Sequence, residues 1–106
     1  MHKPAILLLL LLAGLLSACQ PEVDHEARGR QLLSEARQAY AQGRYAAARD
    51  TIMSLRAHHP QALEARRQAI LLLDSVELMD ARRQQDSLKA EFFQRKLQYD
   101  IEKLRK

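Results

Sequence analysis

Helix breakers are few and far apart, and their placement limits the fold more than any other feature of the chain. Three glycines and three prolines occur in 106 residues. Residues 19–106 hold two of each: Pro21, Gly29, Gly43 and Pro60. No alternating run of β-branched and polar residues is present, and from His25 onward apolar residues recur at helical spacing. The expected fold class is all-α, and the length allows one small domain.

The first helix is expected over about Glu26 to Gln42, with Leu32, Leu33, Ala36, Ala39 and Tyr40 on one broad face. Gly43 ends it, because glycine tolerates the left-handed C-terminal conformation. The second is expected over about Tyr45 to His58, where Tyr45, Ala48, Ile52 and Leu55 make a narrow apolar stripe. Pro60 pushes His59 out of the α region and suits the opening of the next helix. A third helix runs from about Gln61 to Asp80 or beyond. Ala81 to Gln85 is a polar interruption, after which Asp86-Ser87 either caps a fourth helix or lies within one long helix. The last segment aligns Ala90, Phe93, Leu97, Ile101 and Leu104, and Leu88, Phe92 and Tyr99 widen that stripe. Glu91 with Arg95, and Glu102 with Lys106, are favourable i,i+4 pairs.

The N-terminus follows a different logic. His2 and Lys3 precede an apolar run from Ala5 to Leu16, which Ser17, Ala18 and Cys19 close. This is the order of a secretory signal peptide. The run falls short of the roughly 20 residues a bilayer-spanning helix needs. Leu16-Ser17-Ala18-Cys19 resembles the lipobox of bacterial lipoproteins. The resemblance implies cleavage between Ala18 and Cys19, a diacylglycerol (palmitate-type) thioether on Cys19 and an acyl group on its new amine. Cys19 is the sole cysteine, so the chain can form no internal disulfide. Acyl chains at about 0.8 kcal/mol per buried CH₂ would hold such a protein at a membrane. By the sorting rule of well-studied Gram-negative envelopes, Gln20 in place of Asp favours the cell outer membrane, facing the periplasm, over the inner membrane.

A second resemblance lies in Gly43-Arg44-Tyr45, Ala48, Ile52, Leu55 and Pro60, whose spacing is similar to the second half of a tetratricopeptide repeat. In that family glycine makes the inter-helix turn. The small residue lets the helices approach, the large apolar residue fills their groove, and proline stops the second helix. The likeness covers roughly Gly29 to Ala62, one repeat. Tyr40 sits one position beyond the usual aromatic, and no second Gly-x-Tyr turn follows. The chain thus divides into a signal peptide (1–18), a lipidated Cys with its tether (19–25), a tetratricopeptide-like helical domain (26–80) and a basic amphipathic tail (81–106).

Charge and chemistry narrow the function. The formal charge is +4, but export removes nucleic acid from the partner list, and no basic patch is interleaved with aromatics. No catalytic constellation, glycine-rich phosphate loop, metal set or small-molecule site is evident, so no enzyme and no cofactor beyond the Cys19 lipid are expected. His58-His59 reads as a solvated helix end, and His25 has no ligating neighbours. Asp74, Glu77 and Asp80, three apart, read as a solvated face. Residues 82–106 hold eight Lys/Arg against four Asp/Glu, whereas residues 20–81 hold eight against nine. The tail either packs on the hairpin or docks on another protein, a like chain or an anionic surface. The expected function is a membrane-anchored, non-enzymatic protein–protein interaction module of the cell envelope. Its working residues are expected among Tyr40, Tyr45 and Ile52 with the third helix, or among Phe92, Phe93, Leu97, Tyr99 and Ile101. The alternative is a structural lipoprotein that self-associates as a homo-oligomer through its tail.

Overall fold

The computed structural model describes residues 24–105, and the expected signal peptide, Ala18, Cys19 and most of the tether lie outside them. The described residues form four helices and no strand: α1 (His25–Ala41), α2 (Tyr45–His58), α3 (Leu63–Arg83) and α4 (Ser87–Arg105). None is long and apolar enough to cross a membrane. The fold is all-α, as the scarcity of breakers predicted.

Asp24 opens α1 by accepting a hydrogen bond from the Ala27 amide at 3.1 Å. Gly43 closes it. Its φ is +73°, and the Arg44 amide donates to the Ala39 carbonyl at 2.8 Å, which is the 6→1 bond of a left-handed helix end. The question left open near Asp86 resolves as a break of the same kind. Gln85 takes φ +57°, and the Asp86 amide donates to Ala81 O at 2.9 Å. Asp86 then caps α4, accepting from the Lys89 amide at 3.0 Å. Ala81 to Arg83 complete α3 instead of interrupting it, and Ala81 is fully buried, so α3 continues past Asp80 into the segment expected to belong to the basic tail.

α1 and α2 form an antiparallel hairpin, and α3 packs against both. Small residues at the crossings bring the three helices close: Ala36, Ala39, Ala48, Ala62, Ala65 and Ala69 are all buried. The tightest approach is at Gly29, where a Cβ would lie 2.7 Å from Ala62 Cβ and 2.9 Å from Ala65 Cβ. Leu33, Ile52, Leu55 and Val76 fill the space between. The start of α3 lacks a cap of its own, since its N-cap position is Ala62. Glu26 from α1 supplies one, accepting from the Glu64 and Ala65 amides at 2.9 and 3.4 Å.

α4 returns antiparallel along α3 and touches no other helix. Phe93, Leu97, Ile101 and Leu104 face α3 and are half-buried. Near its end, Arg67 donates to the Leu104 carbonyl at 2.7 Å, satisfying one of the carbonyls a helix terminus leaves unpaired.

A candidate binding cleft along the third helix

Because α4 rests on α3 alone, a cleft opens between α2 and α4 with α3 as its floor. One part, about 380 Å³, is lined by Arg49, Met53 and Arg56 of α2, by Leu73, Asp74 and Glu77 of α3, and by Phe93 and Lys96 of α4. Arg56 also lines a neighbouring part of about 570 Å³, between α2 and α3, with Leu63, Glu64, Arg66, Arg67 and Ile70. Two large apolar side chains stand open to solvent there, Met53 at 44% exposure and Leu63 at 65%. Cations and acids surround them: Arg49, Arg56, Arg66, Arg67 and Lys96 with Glu64, Asp74 and Glu77.

The three acids of α3 do not form the solvated face expected of them. Each instead holds a cation from its own or a neighbouring helix. Arg49 of α2 pairs with Glu77 and, at 2.9 Å, with Asp80. Arg83 adds a contact to Asp80 at 3.3 Å. Lys96 of α4 reaches Asp74 at 2.9 Å and Asp100 at 2.7 Å. The Arg49 guanidinium holds the Asp80 carboxyl below its usual range. Asp74 behaves in the opposite way. Burial, with the Asp100 carboxylate beside it, pushes its pKa up to about 6. The residue spacing showed the shared face, but which cations would arrive from α2 and α4 depends on how those helices cross.

Arg56 differs from these neighbours. Among the described residues it makes no ion pair, and it stands where the two parts of the cleft meet. The cleft thus offers apolar contact flanked by at least one uncommitted guanidinium, which suits an amphipathic segment carrying a carboxylate.

The residues expected to meet a partner are scattered. Ile52 is fully buried and has no surface to offer, because the narrow stripe it belongs to is the side of α2 that packs inward. Tyr40 and Tyr45 meet at a tilt, ring centroids 5.9 Å apart, beside the Gly43 turn and away from the cleft. Arg83 covers the Tyr45 ring at 4.5 Å and donates to Gly43 O at 2.9 Å. Phe93 borders the cleft, while Leu97 and Ile101 are half-buried against α3. Phe92 and Tyr99 point the other way, 60% and 63% exposed. They do not widen the packed stripe but form a separate outer face.

The histidines also depart from expectation. His58 bonds back to Ser54, an exposed helix-end arrangement as expected. His59 instead meets His25 of α1, Nδ1 to Nδ1 at 3.0 Å, so the two are partners 34 residues apart. Desolvation, and then the charge on His25, holds His59 below the usual histidine range. No group of three or more metal-ligating side chains occurs among the described residues. Comparison with protein-family models, characterised proteins and solved structures finds no match to this chain.

Proposed function

We propose that this chain is a lipid-anchored, non-enzymatic interaction module of the bacterial envelope, facing the periplasm, which holds a protein segment in the cleft along α3. The lipobox-like Leu16-Ser17-Ala18-Cys19 supports the anchor. The α1–α2 hairpin supports a tetratricopeptide-like reading of the domain: its turn is made by Gly43, Ala48 and Ile52 are buried between the helices, and Pro60 follows α2. One observation carries the binding role, namely the exposed Met53 and Leu63 on either side of the unpaired Arg56. The occupant is an amphipathic segment whose apolar side covers Met53 and Leu63 and whose carboxylate meets Arg56.

In-cell photocrosslinking tests this. A photoreactive residue at Met53 should capture one specific envelope protein, and one at the exposed Ala41, outside the cleft, should not. Arg56→Glu should abolish the adduct while leaving the helical content intact. Equal capture from both positions, or none from Met53, sinks the proposal.

A further inference from the structure

α4 carries two apolar faces, and α3 covers one of them. The other is formed by Leu88, Phe92 and Tyr99, which are 83%, 60% and 63% exposed. Their spacing of four and seven places them on one line along the helix, and Arg95 lies in the same line between Phe92 and Tyr99. Lys89, Lys96 and Lys103 follow one flank at intervals of seven. Lys96 turns inward to Asp74 and Asp100, whereas Lys89 and Lys103 are exposed, with the Lys103 ammonium 5.8 Å from the Tyr99 ring. Two acids lie on the opposite flank: Glu91, which pairs with Arg95 at 2.6 Å, and the exposed Glu102 beside Tyr99, so the cationic side of the face is the flank of Lys89 and Lys103.

We propose that this outer face of α4 lies on an anionic lipid surface, with Leu88, Phe92 and Tyr99 at the acyl boundary and Lys89 and Lys103 on the phosphates. Aromatic rings suit that depth because they are apolar with a polar edge, and lysines beside them can snorkel to the headgroups. The inference rests on the lipid-anchored reading, and the chain's own dimensions join the two. From Cys19 to Asp24 the backbone spans at most about 18 Å. The start of α1 is bonded through Glu26 to the start of α3, and Arg67 in that part of α3 is bonded to the end of α4. The lipid attachment and the C-terminal half of α4 therefore belong to the same end of the molecule.

A second copy of this chain fits the face less well. In an antiparallel pairing of two α4 helices, each flank meets its own counterpart, so the lysine flank opposes itself. In a parallel pairing Arg95 meets Arg95 at the centre of the apolar line. A phosphate-bearing surface takes up Lys89 and Lys103 without either conflict.

The chain has no tryptophan, so Phe92→Trp places a single reporter in the proposed contact. The full chain carrying this change is reconstituted in vesicles of phosphatidylcholine alone, or with phosphatidylglycerol. In the anionic vesicles the indole emission should shift to the blue and be quenched by brominated acyl chains. Neutral vesicles, and the added changes Lys89→Glu and Lys103→Glu, should abolish both effects. Water-like, unquenched emission in anionic vesicles overturns the proposal. So does a blue shift in detergent without lipid that grows with protein concentration, which would assign the face to a second copy. The mass of the purified chain separately reports acylation at Cys19. An unmodified Cys19 overturns the anchor while leaving the charge-dependent quenching to stand or fall alone.

Discussion

The Lys96 ammonium of α4 sits between two carboxylates, 2.9 Å from Asp74 Oδ1 and 2.7 Å from Asp100 Oδ2. The second Asp74 oxygen is buried and has no hydrogen-bond partner. A proton on that carboxyl relieves the cost of burying a charge, which agrees with the rise of its pKa to about 6 from 3.8. A raised folded-state value means that the folded chain binds the proton more tightly than the unfolded one. Asp74 therefore contributes stability that is fully present below pH 3.8 and is lost as pH rises through about 6. The contribution is on the order of 2–3 kcal/mol. Asp74→Asn keeps the shape without the titration, so its stability relative to the parent should improve from pH 4 to pH 7. Denaturant midpoints across that range measure it; a constant difference between the two proteins refutes the assignment.

Gly29→Ala should destabilise the fold. In an exposed helix the same change is favourable by about 1 kcal/mol. At Gly29 the new methyl meets the Cβ atoms of Ala62 and Ala65 at 2.7 and 2.9 Å, and neither can rotate away. α1 and α3 must separate, at a cost of about 1–3 kcal/mol. A thermal midpoint that rises in this variant would show that the crossing is looser than the structure has it.

The helices themselves were legible because each boundary is written locally. Gly43 and the His59-Pro60 step set the first two elements almost to the residue, whereas α3 begins at Leu63, after a turn at Pro60 and Gln61 and two residues later than expected. The partners were not legible. Asp74, Glu77 and Asp80 read as a solvated row because helical spacing reports a shared face without reporting what covers it. Arg49 and Lys96 arrive from residues over twenty positions away. The pairing of His25 with His59 was hidden for the same reason, and Glu26 acts as a cap for a helix that begins 37 residues later. Phe92 and Phe93 show the limit most simply. They are adjacent in sequence, yet one borders the cleft and the other faces outward.

Gln85→Gly should stabilise the break between α3 and α4. Gln85 holds φ +57°, a left-handed conformation that costs a residue with a Cβ roughly 1 kcal/mol and costs glycine little. Gly43 occupies the equivalent position after α1, at φ +73° with open space around it, so Gly43→Ala should lose about what Gln85→Gly gains. Paired chemical denaturation curves give both values. A loss on Gln85→Gly would indicate that the helix runs straight through residue 85 in solution.

Ile52 and Met53 are neighbours on α2 and should separate stability from binding. Ile52 is fully buried, so Ile52→Ala should cost about 2–5 kcal/mol. Met53 is 44% exposed at the cleft, and Met53→Ala should change stability by no more than about 0.5 kcal/mol while weakening capture of a partner. A large stability loss from Met53→Ala would mean that the cleft is closed in solution.

Glu26→Gln tests whether one side chain ties the start of α1 to α3. The carboxylate accepts from two amides at the first turn of α3, where the macrodipole favours a negative charge and the N-cap residue, Ala62, has no side-chain acceptor. The amide oxygen of glutamine still accepts a hydrogen bond but carries no charge. Glu26→Gln should therefore cost part, and Glu26→Ala all, of the roughly 1 kcal/mol a cap contributes. Hydrogen exchange adds a local reading: amide protection at Glu64 and Ala65 should fall in the order parent, Gln, Ala, while protection within α4 stays unchanged. Equal protection in all three proteins would show that α3 begins without help from α1.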